Sequence, residues 1–239
     1  MKKFLSVVVA IVLVFAVLSM VSCTKKGTTT PTEPTPVPTV AFAFASGVSG
    51  WVIPSPLYTA EQALTAIGYN AADGHTANGC LSVTGNFNET TDGTDQTGSG
   101  GNDYSTTLID EKGSISYTLP ANITMTASTI TAWIKVPASI ASKTAGAYKA
   151  QLFVANDGND VAHKYGYANS VTPVLLSTGS ASSAGWISIT GQASTFTGGI
   201  SLDNVAQIGV QIYIDTTIYT APDAVSNATI EFDDISYSY

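Results

Sequence analysis

The chain has 239 residues, 44% hydrophobic and only 11% charged, which excludes both a highly charged disordered chain and a multi-span membrane protein. Seventeen acids face nine lysines and there is no arginine, so no nucleic acid partner is expected, because phosphate binding leans on clustered Arg and Lys. Twenty-one glycines among abundant Ser, Thr and Tyr point to strands and turns, and hence to an all-β chain.

In chain order the first element is a targeting segment. Lys2 and Lys3 supply a positive start, and residues 7–18 form an unbroken run of twelve apolar residues, the size of a signal-peptide core. The run leads into Met20-Val21-Ser22-Cys23, which resembles the lipobox of bacterial lipoproteins, with Met20 where Leu is usual. The resemblance implies cleavage of residues 1–22 and lipidation of Cys23. Two or more acyl chains there would hold the protein durably on a membrane. Thr24 after the cysteine then implies the outer membrane or cell surface of the bacterial envelope. The alternative is a single transmembrane anchor over residues 4–22, which leaves Cys23 without a role.

Cleavage leaves seven lysines against seventeen acids, a formal charge of −10, so no basic patch holds the chain to anionic lipid. With Cys23 lipidated, Cys80 has no disulfide partner and is expected to be a buried small hydrophobe. Residues 23–39 follow as the lipidated cysteine and a linker. Seven Thr and four Pro in residues 24–39 favour extended polyproline geometry, a stiff spacer of up to about 50 Å.

Residues 40–239 then form the domain. Strand signals fall at residues 40–44, 50–53, 80–84, 114–119, 129–136, 148–155, 171–176, 186–190, 207–214 and 229–239, separated by turn residues. A short helix is expected over residues 60–67, with Thr59 and Gln62 as a capping box and Gly68 at its C-terminal end. Residues 85–103 read as a Gly/Asp/Thr-rich loop. Ten short strands with almost no helix predict a two-sheet antiparallel β-sandwich.

Period-two alternation assigns the faces. Ile208, Val210, Ile212 and Ile214 point one way while Gln207, Gly209, Gln211 and Tyr213 point the other. Tyr148, Ala150, Leu152 and Val154 oppose Lys149, Gln151 and Phe153, and Ile115, Tyr117 and Leu119 oppose Ser116 and Thr118. In the last strand Ile230 and Phe232 are out of phase with Ile235, Tyr237 and Tyr239, which predicts a β-bulge at Asp233-Asp234.

Four segments occur in chain order: Gln151-Leu152-Phe153-Val154 before Asn156-Asp157-Gly158, Gly185-Trp186-Ile187-Ser188-Ile189-Thr190, Ile208-Gly209-Val210-Gln211-Ile212, and Glu231-Phe232-Asp233-Asp234-Ile235-Ser236-Tyr237. Together they resemble the jelly-roll, galactose-binding-like carbohydrate-binding modules attached to bacterial glycoside hydrolases. The resemblance implies that strands 114–119, 147–155, 163–176 and 207–214 share a concave sheet that holds a glycan. Its outward set is Ser116, Thr118, Lys149, Gln151, Phe153, Tyr165, Tyr167, Gln211 and Tyr213, of which Lys149, Gln151, Phe153, Tyr165, Tyr167, Gln211 and Tyr213 are the expected carbohydrate-binding residues. Aromatic rings stack on the C–H faces of a pyranose, and amides and ammonium groups bond its hydroxyls. The opposing reading is that Phe153 and Tyr213 pair with each other across strands and that Tyr165 and Tyr167 pack under a loop. The family's structural calcium uses an acid near the first strand and an aspartate in the last. Asp233 matches the second, but residues 41–46 hold no acid, so calcium is not supported and no cofactor is expected.

Trp133 faces away from Ile130, Ala132 and Ile134 in the other sheet, where a loop is expected to cover it, and Trp51 and Trp186 read as structural. No enzyme is expected. His75 and His163 lack metal-motif spacing and read as solvated, no nucleophile signature accompanies them, and Glu33 and Glu61 fall in the linker and the expected helix. Asp157 and Asp160 flank a turn, and Asp92, Asp95 and Asp103 do not follow the EF-hand pattern. The expected function is capture of polysaccharide by a surface lipoprotein, with glycoside hydrolases as companions. The alternative is a structural or adhesive lipoprotein that binds protein.

Overall fold

A computed structural model describes residues 38–54, 63–88, 112–156, 167–179, 185–198, 200–215 and 217–239. The targeting segment, Cys23, the linker up to Val37, the Asp92–Asp103 acids, Asp157, Asp160, His163 and Tyr165 lie outside them. Val37–Tyr239 forms a compact unit.

Its strands are β1 (Thr39–Phe42), β2 (Leu64–Asn70), β3 (Cys80–Phe87), β4 (Lys112–Ile123), β5 (Thr129–Lys135), β6 (Tyr148–Ala155), β7 (Tyr167–Asn169), β8 (Val174–Leu175), β9 (Trp186–Gln192), β10 (Thr197–Gly198), β11 (Val205–Ile214) and β12 (Val225–Ser238). A single turn of helix, α1 (Ala138–Ala141), follows β5. The first sheet runs β2-β3-β12-β5-β9 with β1 also on β12, and the second runs β10-β7-β6-β11-β4 with β8 also on β6. Along the chain β3, β4, β5, β6, β9, β11 and β12 alternate between the two sheets, as a jelly roll requires. The strand group expected to share one sheet does so, and Trp133 and Trp186 lie in the other.

The core is where the alternation places it. Ile115, Leu152, Val154, Ile208 and Ile212 from the second sheet are fully buried with Leu81, Val83, Ile134, Ile230 and Phe232 from the first. Each such side chain stabilises the fold by about 1.5–3 kcal/mol. Trp51 is 1% exposed and packs against Phe42, Phe44 and Tyr117, with ring centroids 5.5, 6.5 and 5.9 Å away. Cys80 is buried and unpaired in disulfide terms, and burial, with Glu231 beside it, pushes its thiol up to about 12.

The expected bulge is present. Pairing of β12 with β5 slips between Asp233 and Ser236, and Asp234 takes φ +44°. Ile230 and Phe232 before the slip and Ile235 and Tyr237 after it therefore all reach the core. The freed carboxylates grip the loop between β2 and β3. His75 N–H donates to Asp233 (2.7 Å), and its ring nitrogen lies 2.8 Å from Asp234, to which the Thr76 hydroxyl also donates. This loop covers Trp133, with the His75 ring stacked on the indole at 3.6 Å and 16°. His75 is thus a packed residue and not the solvated one its loop context suggested. Lys135 bridges Asp73 and Glu231 and lies 5.8 Å over Trp186.

Four expectations are corrected. Residues 64–70 form the strand β2, not part of a helix; Thr65, Ile67 and Tyr69 suit a strand, and β3 offers them a hydrogen-bonded edge that a lone helical turn cannot match. Gly68 accordingly lies mid-strand opposite Ser82. The loop expected from residue 85 begins later, because β3 continues to Phe87, which is fully buried. Residues 50–53 make only a single bridge, Val52 with Ser116, and the strand expected at 171–176 is confined to Val174–Leu175.

Gly79 holds φ +118°, and a Cβ there would sit 2.2 Å from the Phe44 carbonyl oxygen. Gly79→Ala is expected to cost about 2 kcal/mol or more, roughly 4–8 °C in Tm, in a thermal melt. Gly185→Ala, which meets nothing within 4 Å, should leave the melt nearly unchanged.

Candidate functional site

The outer face of the second sheet is built from cross-strand rows. Neighbouring strands lie about 4.8 Å apart, and alternate residues on one strand recur about every 7 Å, so each row is a band of side chains across the sheet. The first row reads Leu175, Lys149, Tyr213, Lys112. The second reads Gln151, Gln211, Ser114. The third reads Asn169, Phe153, Gly209, Ser116 and, across the edge bridge, Val52. The fourth reads Tyr167, Ala155, Gln207, Thr118.

Among the described residues, charge on this face is confined to the first row. Lys149 donates to Asp215 at the end of β11, and both are about four-fifths buried. That ammonium, helped by bonds from the Thr217 hydroxyl and N–H, holds the Asp215 carboxyl down to about 2. Between Lys149 and Lys112 the Tyr213 ring is partly buried, and desolvation raises its hydroxyl above the ordinary tyrosine value.

The second row is a hydrogen-bonded amide ladder. Gln151 Nε2 donates to Gln211 Oε1 (2.7 Å), and Gln211 Nε2 donates to Ser114 Oγ (3.2 Å). Three strands are thereby cross-linked above the backbone. The ladder orients both amides, and among the described residues it leaves Gln151 Oε1 and one N–H on each amide for an incoming group. In the fourth row Gln207 Nε2 donates to Thr118 Oγ1 (3.3 Å), repeating the motif at the far end.

The third row is apolar. Phe153 points away from the core side of β6, yet it is only 9% exposed, and its ring lies over Gly209. A Cβ at Gly209 would fall 2.2 Å from the Phe153 ring and 2.5 Å from the Ile115 carbonyl oxygen, so only glycine permits this arrangement. Ser116, next in the row, is 1% exposed, and among the described residues its hydroxyl has no hydrogen-bond partner.

Of the residues expected to bind sugar, the structure brings Lys149, Gln151, Phe153, Gln211 and Tyr213 onto one face. Phe153 and Tyr213 lie two rows apart, so the cross-strand pairing of their rings does not occur. The Tyr167 backbone joins the same face through β7, opposite Ala155. Lys112 and Ser114 were missed although their parity with Ser116 announces them, and Gln207, placed outward by alternation, joins the same face. Asp215, Asn169, Leu175 and Val52 carried no such signal, since only strand pairing places them. On the outer face of the first sheet, Asp233 spends its carboxylate on the His75 N–H. Among the described residues no three His, Cys, Asp or Glu gather around a point that could hold a metal.

No family model matches the sequence, and no curated protein matches it. Solved structures do resemble it. The family 11 carbohydrate-binding module of a cellulosomal cellulase of Clostridium thermocellum is 13% identical over 85% of this chain and 95% of that one, with TM-score 0.46. A xylan-binding domain from Paenibacillus barcinonensis is 13% identical over 83% of this chain and 92% of that one, with TM-score 0.41. The adhesin domain of Lys-gingipain from Porphyromonas gingivalis is 14% identical over 84% of this chain and 97% of that one, with TM-score 0.44. At these values the reading of function rests on the chain's own outer face.

Because its folded value is depressed, Asp215 adds stability that is present above the ordinary carboxylate value of 3.8 and lost as pH falls toward about 2. Replacing the ammonium in Lys149→Met should move the Asp215 midpoint up toward 3.8, read by carboxyl carbon NMR in an acid titration. A midpoint that stays near about 2 in the variant contradicts this assignment of cause.

Proposed function

We propose that this protein captures polysaccharide on the outer face of its second sheet and is not an enzyme. The Gln151–Gln211–Ser114 ladder carries the reading. It is a row of pre-oriented donors and acceptors between an aromatic row with Tyr213 and an apolar row with Phe153. Amides that already hold one another lose little side-chain freedom on binding, and their remaining valences match vicinal hydroxyls. Lys149 is neutralised by Asp215, which favours hydroxyl-rich chains such as β-mannan, xylan or β-glucan over acidic ones. Bound chains would be held for glycoside hydrolases acting beside it. Lipid on Cys23 and the Thr/Pro spacer would present the face outward from the bacterial envelope.

A second reading draws on the rim. Val52, Leu175 and Val171, 47%, 52% and 54% exposed, fringe the same sheet, as an adhesive surface for a protein partner would need.

Affinity electrophoresis decides between them. The Val37–Tyr239 unit contains every described strand and the whole described core, so it can be run beside the full chain. Retardation is expected in gels containing mixed-linkage β-glucan, arabinoxylan or galactomannan. It should weaken about tenfold or more in a folded Gln151→Ala/Gln211→Ala variant and in Tyr213→Ala. His75→Ala, on the other sheet, should run like the parent. No retardation in any of the three gels favours the adhesive reading.

The anchor is tested separately. Cys23→Ala should abolish palmitate labelling and release the chain from the membrane fraction, whereas a transmembrane anchor would keep the variant there.

A further inference from the structure

The third row of the outer face contains two buried oxygens that find no hydrogen bond among the described residues. Ser116 Oγ is buried in a residue 1% exposed, and Asn169 Oδ1 is buried at the opposite end of the same row. They lie three strand spacings apart, about 14 Å, with Phe153 and Gly209 between them. Burying a polar atom without a partner is destabilising, and native structures rarely do so without another use for it. Elsewhere this face is thoroughly bonded, since Gln151, Gln211, Ser114, Gln207 and Thr118 all find partners along their rows.

Phe153 stands in the same row as Ser116, with its ring over the intervening Gly209. Leu152 and Val154 beside it fill the core, so Phe153 lies on the solvent side of β6 and its ring extends from β6 over Gly209 toward β4. It rests on backbone, because Gly209 has no side chain. Raised, the ring would stand as a stacking wall and uncover the Ser116 hydroxyl.

We propose that Phe153 is a movable cover over Ser116 Oγ, which, with Asn169 Oδ1 at the other end of the row, bonds the hydroxyls of a sugar in a central subsite. This rests on the polysaccharide-binding reading above and adds what that reading lacks, namely the residues that bind once the cover lifts. The two oxygens address different parts of a glycan laid across the strands. The free protein is less stable than it could be at Ser116, and the ligand supplies the missing bond.

Ser116→Ala separates the possibilities, because it keeps both backbone bonds to Val52 and removes only the hydroxyl. The expected result has two parts. Its Tm rises by about 2–4 °C, since an unpaired buried group is gone. Its retardation by whichever of β-glucan, arabinoxylan or galactomannan retards the parent weakens about threefold to tenfold. Asn169→Ala should weaken retardation similarly. Ring resonances of Phe153, assigned by their loss in Phe153→Leu, should shift when oligosaccharides of the same glycan are added. A lower Tm in Ser116→Ala overturns the proposal without reference to any glycan. A retarded parent with equally retarded Ser116→Ala and Asn169→Ala, or with unmoved Phe153 resonances, overturns it while polysaccharide binding stands. A parent that no glycan retards overturns both.

Discussion

The fold hangs on β12 and its one-residue slip. This strand of fourteen residues pairs with β3, β5 and β1, and thereby joins most of the first sheet. A regular strand of this sequence would bury Ile230 and Phe232 and expose Ile235 and Tyr237, or the reverse. The slip at Asp233-Asp234 lets all four reach the core. It also turns two carboxylates toward the β2–β3 loop, where they bind the His75 N–H, the His75 ring and the Thr76 hydroxyl. One backbone irregularity thus completes the core on one side and closes the outer face over Trp133 on the other.

That closure accounts for the contrast between the two outer faces. The aromatics of the first sheet are in use: the His75 ring lies on Trp133, and Lys135 sits over Trp186 while bridging Asp73 and Glu231. The second sheet, by contrast, carries an ordered amide ladder, the Lys149–Asp215 ion pair and a phenylalanine lying on bare backbone. Its buried Ser116 hydroxyl costs about 1–3 kcal/mol against a total stability of about 5–15 kcal/mol.

Legibility followed the range of the interactions. The bulge could be read in advance because hydrophobic phase is written in neighbouring residues. So could the outward set of β6 and β11, whose period-two pattern is unambiguous between Lys149 and Phe153 and between Gly209 and Tyr213. Residues 64–70 were misread because Thr59, Gln62 and Gly68 imitate helix caps, while the interaction that decides the segment is its ladder with β3, formed with residues 80–85. His75 was misread for the same reason, its partners Trp133 and Asp234 being distant in sequence.

The sequence by itself determined which residues of each long strand meet the core and which polar and aromatic side chains face outward. Each of these follows from alternation within a single strand. The tertiary structure alone decided which outward residues become neighbours. It set Gln151 on Gln211 and Ser114, laid Phe153 over Gly209, placed Asn169 and Val52 at the ends of its row and gave Lys149 its aspartate. Register between strands is settled by the packing of two whole sheets against one core, and no local stretch of sequence carries that information.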